Sequence, residues 1–301
     1  MRTRDSPDAP ILDLHCHSAA SDGTLSPREV VMRAAGQGVS ALALTDHDTI
    51  AGIGDAAAEA SAQGMVLIAG VEFSCLWRGQ TIHVVGLDFD DRDSDLLRAV
   101  AMQEKLRHAR ATTIDERLCR IGLPSVLSQA RALAGGVPGR PHFAKALMDT
   151  GQVSRIDNAF RRYLGNGKPG DVKTCWPELG EVVGWIRDAG GKPVLAHPRK
   201  YGLTNNKLRK LIGAFREAGG TSLEVLSSGQ SPQDTEYLAR LCHEFQCSAS
   251  GGSDFHEPGR HWCELGRLPG LPRASEPVWG HFRSTTCAAI DCLPDTVSQG
   301  E

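Results

Sequence analysis

The amino-acid sequence predicts an α/β protein, built on a distorted seven-stranded (β/α)7 barrel into which a helical subdomain is inserted. Short β-rich runs alternate with amphipathic helical patterns, which favours βα units around a parallel sheet. This alternation stops between about Asp93 and Thr174, where several helical patterns follow one another, separated by Gly and Pro. A segment of that length with its own apolar positions is too long to be a loop. The chain has 301 residues, which is enough for one barrel of ~250 residues and an insertion.

Seven strands and four helices can be placed from periodicity and capping signals. The capping box Ser26–Glu29, with Pro at the first helical position, predicts a helix to about Gln37, and Ser231 begins a similar signal. Apolar residues at helical spacing, followed by Gly pairs, predict helices over Pro177–Ala189 and Asn205–Ala218. The predicted strands are Ile11–His15, Ala41–Thr45, Val66–Val71, Thr81–Leu87, Pro193–Ala196, Ser222–Leu226 and Cys247–Gly251.

These elements divide the chain into three parts. The barrel is expected over residues 11–92 and 175–270, the helical subdomain over 93–174, and an irregular C-terminal extension over 271–301. Charge is distributed unevenly between them. Arg98–Lys173 holds 14 Lys and Arg against 6 Asp and Glu, whereas the remainder holds 19 against 30. This segment is either a solvated helical surface or a basic flap over an anionic substrate.

Composition excludes several classes of protein. Charged residues make up 23% of the chain and hydrophobic residues 41%, which is typical of a globular protein. No apolar run approaches the ~20 residues that cross a bilayer, and the N-terminus lacks the apolar core of a secretory signal. The nine cysteines form no CxxC pair, so a disulfide framework or zinc ribbon is not indicated. We therefore expect a cytoplasmic protein.

Imidazoles and carboxylates follow or lie within six of the seven predicted strands. His15 and His17 lie two residues apart, so both side chains can face the same ion. The carboxyl ends of parallel strands share one rim of the barrel, where active sites assemble. A lone histidine at a strand end is usually structural, but so many acids and imidazoles at one rim require cations. The set consists of His15, His17, Asp22, His47, Glu72, His83, His197, Asp254 and His256.

These motifs resemble the PHP family, named after polymerase and histidinol phosphatase domains. The resemblance covers about Leu12–His256 and rests on the HxH motif, the Asp-Gly five residues on, and the LALTDHD, GVEFS, AHP and GSDFH runs. It implies a distorted seven-stranded barrel in which the nine residues bind three metal ions. One ion would be bound by His15, His17, Glu72 and Asp254, a second by Glu72, His83 and His197, and the third by Asp22, His47 and His256.

Within the family, the chain is most similar to bacterial nucleoside 3′,5′-bisphosphate phosphatases, whose relatives include a 5′–3′ exoribonuclease. The long helical insertion and its Gly139–His142 run carry this closer resemblance. It implies removal of the 3′-phosphate from nucleotides such as pAp, giving AMP and phosphate. It also implies exonucleolytic action on short 5′-phosphorylated RNA as a second activity. Because no RNA-recognition motif is present, we expect any RNA contact to be insensitive to base sequence.

Closely spaced ions suit hydrolysis of phosphoesters, because they acidify an attacking water and neutralise phosphate charge. The imidazole-rich ligand set favours Mn, Fe or Zn over Mg or Ca, and the family resemblance favours three Mn²⁺ ions. For binding of the substrate phosphates we predict Arg140, His142 and Arg199, each weighed against an ordinary surface role. Weaker candidates are Lys173 and Lys200, whereas we assign structural roles to Asp46, Asp48, Glu224, His243 and His261. The side chain of Cys16 should point away from the two histidines that flank it.

Three alternatives remain open at this point. An amidohydrolase-type deaminase or lactonase also uses an HxH motif on a first barrel strand, but has no need of Asp22, His47 and His256. A histidinol phosphatase would not account for the long insertion. A non-catalytic nucleic-acid-binding module of the same family is disfavoured because none of the nine ligand positions is lost. The main substrate, the metal and the oligomeric state are not determined by the sequence.

Overall fold

Seven strands form one curved sheet whose spatial order follows the order of the chain. The computed structural model of the protein describes residues 10–173 and 176–293. All seven predicted strands are present, and the third extends six residues beyond its predicted end at Val71. The strands are β1 (Ile11–Cys16), β2 (Val39–Leu44), β3 (Val66–Trp77), β4 (Gln80–Leu87), β5 (Lys192–Leu195), β6 (Ser222–Ser227) and β7 (Ser248–Gly252).

The sheet is closed into a barrel by contacts between β1 and the chain that follows β7. The amide of Asp254 donates to the carbonyl of His15, and the amide of His17 donates to the carbonyl of Phe255, both at 2.8 Å. Gly252 permits this approach, because a Cβ there would lie 2.1 Å from the Cβ of His15. Closure therefore brings residues from both ends of the barrel sequence next to each other.

The prediction of a parallel sheet is wrong for β4, which runs antiparallel to both β3 and β5. Strands β3 and β4 form a hairpin through Arg78 and Gly79, whose φ values are 52° and 75°. Two central residues with positive φ are typical of a type I′ turn, which leaves no room for a crossover helix. Reversal of the strand places its first half, with His83, at the rim where the parallel strands end.

Helices cover the outside of the barrel, and the four predicted ones are present with small shifts of their ends. The N-terminal capping box of the first helix forms as predicted, with Ser26 and Glu29 bonded to each other's backbone amide. The helices are α1 (Pro27–Gly36), α2 (Ile53–Ala62), α7 (Leu179–Asp188), α8 (Asn205–Glu217) and α9 (Pro232–Glu244). The apolar faces of α7, α8 and α9 pack against the strands around Phe73, Ile186 and Phe215, all of them fully buried. Helix α1 packs on β2 through Val30 and Leu42.

Between β4 and α7 the described chain is helical and encloses a hydrophobic cluster of its own, which includes Ile114, Phe143 and Leu147. The long helix α3 lies against the barrel, where Gln103 donates to the carbonyl of Ser74 at 2.7 Å. The predicted boundary at residues 174 and 175 lies outside the described residues. The elements are α3 (Ser94–Arg120), α4 (Leu127–Leu133), α5 (Arg140–Asp149), α6 (Ile156–Ala159) and a π-helical turn (Phe160–Leu164).

The expectation of an irregular C-terminal extension is wrong in part, because Ser284–Asp291 forms the helix α10. The buried carboxylate of Asp88 anchors this helix by accepting hydrogen bonds from the backbone and side chain of Arg283 and from Thr286. In the parts of the chain that the structure describes, no helix is long and apolar enough to cross a membrane. The N-terminal segment, for which we predicted no secretory signal, lies outside the described residues up to residue 9.

Candidate metal centre

All nine residues singled out from the sequence lie together at one end of the barrel. The potential ligand atoms of seven of them form three overlapping groups, within each of which all the atoms lie within 4.8 Å of one another. The first group contains His15, His17 and Glu72, and the second contains His47, Glu72 and His83. The third consists of His17, Asp22, His47 and His256.

The carboxylate of Glu72 is the centre of this arrangement. Its Oε1 lies 2.8 Å from Nε2 of His197 and 3.1 Å from Nδ1 of His83. Its Oε2 lies 2.9 Å from Nδ1 of His47 and 3.4 Å from Nε2 of His17. One fully buried carboxylate thus faces imidazoles from four different segments of the barrel.

Two further carboxylates lie near the junction between β1 and the chain that follows β7. Oδ1 of Asp254 lies 3.3 Å from Nε2 of His17. Asp22 lies with Oδ1 at 3.3 Å from Nε2 of His256 and Oδ2 at 3.8 Å from Nε2 of His47. His47 therefore faces Glu72 with one ring nitrogen and Asp22 with the other, so it links two of the three groups.

This grouping differs in detail from the partition that the family resemblance implies. The set of Asp22, His47 and His256 lies together as expected, with His17 in addition. Around Glu72 and His83, however, the third residue whose ligand atom lies within 4.8 Å of both is His47 and not His197, although His197 also contacts Glu72.

The electrostatics of the cluster follow from burial and from the close packing of acids and imidazoles. Burial alone would raise the pKa of Glu72, but His47, His83 and His15 hold it well below its usual range. Burial and the neighbouring imidazoles of His256 and His47 lower the pKa of His17 to about 3. Burial also opposes protonation of His256, but Asp22 outweighs it and raises the pKa to about 9. Ionised carboxylates thus face imidazoles, the donor set that first-row divalent ions prefer.

A divalent cation fits this cluster because many of its buried polar atoms have no hydrogen bond of acceptable geometry to any described residue. Such atoms are rarely left unsatisfied in the interior of a protein. Oxygen and imidazole nitrogen atoms of this kind are suitable ligands for Mn, Fe or Zn. The unsatisfied atoms are Nδ1 of His17, His47, His83 and His197, Oδ1 of Asp22 and Oε2 of Glu72.

The backbone is strained at three positions of this rim. The φ values are 54° at Asp48, 27° at His197 and 54° at Asp254, which residues other than glycine rarely adopt. Strain of this kind persists only where surrounding contacts hold it, and it concentrates at functional sites. At Asp48 the contacts are the amide of Ser74 and Nε of Arg107, each 2.6 Å from a carboxylate oxygen.

A cavity of about 660 Å³ opens beside the cluster, between the barrel and the helical segment. Asp22, His47, His83 and His197 line its floor. Its opposite wall carries basic and aromatic side chains from α3, α5, the π-helical turn and the segment before α7. These are Arg107, Arg110, Arg140, Phe160, Lys173 and Trp176.

Three arginines of this wall, Arg107, Arg110 and Arg140, form a cluster that carries excess positive charge. The guanidiniums of Arg107 and Arg110 lie 5.7 and 6.0 Å from the ring centroid of Trp176. Burial, together with the charges of Arg140 and Arg107, lowers the pKa of Arg110 to about 10. Among the described residues, no carboxylate lies within 4 Å of Arg110 or Arg140, so their charge is available to an anion.

The structure places some of the predicted phosphate-binding residues at the cavity and others away from it. Arg140 and Lys173 line the cavity, as does Lys200, which also donates to Oδ2 of Asp254. His142 is nearly buried, and its Nδ1 accepts a hydrogen bond from the backbone amide of Gly139, the residue at the N-terminal cap of α5. The structure does not bring Arg199 to the cavity. Its guanidinium is held outside the barrel by Asp234 at 2.7 Å and by Asn205 at 2.9 Å.

Several functional side chains were missed or misjudged from the sequence. Arg107 and Arg110 were not singled out, because nothing local distinguishes them from other basic residues on a helix. The structural assignment of Glu224 was incomplete, since its buried carboxylate contacts His15 directly. A single acid inside an otherwise apolar strand was the available signal, because a buried charge needs a partner. Cys16 points away from the cluster as predicted, with its thiol donating to the carbonyl of Ala43.

An α/β barrel with nine imidazoles and carboxylates at one rim has the architecture of a metal-dependent hydrolase. The family model described as PHP domain matches residues 13–168. The chain belongs to this family. A 5′-3′ exoribonuclease from Haemophilus influenzae is 45% identical over 270 residues, which cover 90% of this chain and 98% of that protein. A 3′,5′-nucleoside bisphosphate phosphatase from Chromobacterium violaceum is 38% identical, over 93% of this chain and 99% of that protein.

A solved structure agrees with the fold. An amidohydrolase from Chromobacterium violaceum, with sulfate and no metal bound, superimposes with a TM-score of 0.85. The two chains are 37% identical, and the match covers 92% of this chain and 96% of the other. The similarity therefore includes both the barrel and the helical segment between β4 and α7.

Proposed function

We propose that this protein is a metal-dependent phosphoesterase that removes the 3′-phosphate from nucleoside 3′,5′-bisphosphates such as pAp, giving AMP and phosphate. The observation that carries the proposal is the cluster of nine imidazoles and carboxylates beside a cavity walled by three arginines. The cluster is suited to hydrolysis of a phosphoester, and the arginines are suited to recognition of another phosphate on the same substrate. Relatives named as a bisphosphate phosphatase and an exoribonuclease support both parts.

Three Mn²⁺ ions are the proposed cofactor, with Fe or Zn as the alternatives. The nine residues at the rim would hold them, with Glu72 shared between ions because its two oxygens face different imidazoles. Bound there, such ions lower the pKa of water, hold phosphate oxygens and neutralise the charge that develops during ester cleavage.

The arginine cluster is proposed to bind the 5′-phosphate. Guanidinium groups match the oxygens of a phosphate, and their mutual repulsion in the free protein would be relieved by a dianion. Arg107 is oriented by Asp48, and Arg110 lies against Trp176. Neither side chain therefore loses much conformational entropy when the substrate binds. Residues 93–174 would then act as a cap that carries positive charge to the substrate and excludes water from the reacting ester.

Short 5′-phosphorylated RNA is proposed as a second substrate. Both reactions cleave an ester of a 3′-oxygen in a nucleotide whose 5′-phosphate is recognised, so a single site suffices.

We also propose a cytoplasmic location. The eight cysteines that the structure describes are all free thiols, which is consistent with it.

The test is phosphate release from pAp, 3′-AMP and histidinol phosphate, with Mn²⁺ and with a chelator. We expect chelator-sensitive release that is fastest with pAp, and its loss in the variant His15→Ala. A short RNA with and without a 5′-phosphate, assayed in parallel, tests the second activity. Absence of release from pAp by protein that holds Mn²⁺ would refute the proposed activity. A preference for histidinol phosphate would assign the protein to a different branch of the family.

A further inference from the structure

Glu224 connects two of the candidate metal ligands, although its strand contributes none. It lies on β6, and its carboxylate is 2% exposed. Its Oε2 lies 3.1 Å from Nδ1 of His15 and accepts the backbone amide of His197 at 2.7 Å. One oxygen atom therefore contacts residues from β1 and from the end of β5.

The first contact determines how the imidazole of His15 is presented. A carboxylate can only accept, so Nδ1 of His15 carries a proton, and Nε2 is the nitrogen left to bind a metal ion through its lone pair. That atom lies 3.4 Å from Oε2 of Glu72 and 3.6 Å from Oδ1 of Asp254. The hydrogen bond thus both fixes the tautomer and directs the ligating nitrogen at the other acids.

The second contact holds a strained backbone. His197 has φ 27° and ψ 58°, and Pro198 follows it, which disfavours helical conformations of the preceding residue. The short hydrogen bond from its amide to Glu224 fixes this conformation. Nε2 of His197 is thereby held 2.8 Å from Glu72.

The carboxylate of Glu224 has few direct side-chain partners. Among the described residues, His15 is the one basic side chain with a nitrogen within 4 Å of this carboxylate, and Oε1 of Glu224 is buried without a hydrogen bond. A buried carboxylate in this state is costly to the fold, and cations at the neighbouring rim would offset it.

We propose that Glu224 is a positioning residue of the metal centre, which orients His15 and His197 from behind and thereby raises the affinity of the site for metal. This inference rests on the proposed binding of metal by these histidines. It does not depend on which phosphoester is the substrate.

The test is the affinity for Mn²⁺, measured by competition with a chelator on stripped protein, for Glu224→Gln and Glu224→Asp. Loss of such a partner typically weakens metal binding 10- to 100-fold, and we expect that range for both variants. Activity should return towards the wild-type level when Mn²⁺ is raised to saturation. Glu264→Gln is the matched control, because Glu264 is a similarly buried acid that pairs with Arg33 away from the rim.

An affinity of Glu224→Gln within twofold of both wild type and the control would overturn the inference. A second measurement needs no variant: ¹⁵N NMR of the wild-type metal-free protein should show His15 protonated at Nδ1, and protonation at Nε2 alone would refute it. If wild-type protein binds Mn²⁺ and does not hydrolyse pAp, the proposed activity fails, whereas the affinities of the Glu224 variants still decide this inference.

Discussion

Replacement of Arg110 by methionine should make the folded protein more stable and the enzyme less effective. The side chain lies in the wall of the cavity, beside Arg107 and Arg140 and against the ring of Trp176. Its hydrogen bond to the carbonyl of Val172, at 3.4 Å, is long. Methionine keeps much of the packing on the ring and removes the charge.

The size of the stability gain can be estimated from the pKa of Arg110. A pKa lowered to about 10 from its ordinary 12.5 means that the folded protein disfavours the charged form relative to the unfolded chain. At 1.36 kcal/mol per pKa unit, this amounts to about 3 kcal/mol. Loss of the cation–π contact and of the hydrogen bond offsets ~2 kcal/mol of it. The free energy of unfolding should therefore rise by about 1 kcal/mol.

The effect on activity has the opposite sign. A hydrogen bond between charged groups contributes ~1.5–3 kcal/mol, so kcat/KM for pAp should fall ~10- to 150-fold. With 3′-AMP, which lacks the 5′-phosphate, the change should be less than ~3-fold. Denaturant unfolding of metal-free protein and steady-state kinetics on both substrates measure the two effects. Equal losses on pAp and 3′-AMP would refute the role of Arg110 in binding the 5′-phosphate, and a less stable variant would refute the argument from repulsion.

Three further predictions follow from the barrel and its metal centre. Mn²⁺ at 100 times its dissociation constant should raise the free energy of unfolding by ~2.7 kcal/mol per site, and a thermal melt unaffected by metal or chelator would contradict binding. Gly252→Ala should cost ~3 kcal/mol and weaken metal binding, because the new Cβ would meet His15 at 2.1 Å; wild-type stability in urea unfolding would show that this contact is not tight. Asp88→Ala should cost ~3 kcal/mol by releasing Arg283 and Thr286, yet leave the affinity for Mn²⁺ unchanged; a parallel loss of affinity would mean that α10 supports the site.

The strands and the candidate ligands could be predicted from the sequence because the signals for them are local. Short runs of apolar or small residues, of strand length, mark β1 to β7, and each candidate ligand lies within or a few residues beyond such a run. The direction of β4 was also readable in principle, since Arg78 and Gly79 leave two residues between the long β3 and β4. The parallel interpretation failed there because it extended a rule for βα units to a pair of strands without a helix between them.

The basic residues of the cavity could not be chosen from the sequence, for a physical reason. Arg110 and Arg199 are the same type of side chain, and each lies near other charged residues in the chain. Packing of α3 against the barrel leaves Arg110 without a carboxylate within 4 Å among the described residues, whereas α9 brings Asp234 to Arg199. Whether a guanidinium is available to a phosphate therefore depends on contacts between segments that are distant in the sequence.

The sequence by itself determined which residue types this protein brings to the rim of its barrel, because strand ends and their side chains are encoded locally. Only the tertiary structure decided how those residues are grouped. Closure of the barrel places Asp254 beside His17, reversal of β4 turns His83 towards Glu72, and burial of Glu224 connects His15 to His197. These contacts join segments up to about 240 residues apart, and their distances are set by the curvature and closure of the sheet, which no local pattern encodes.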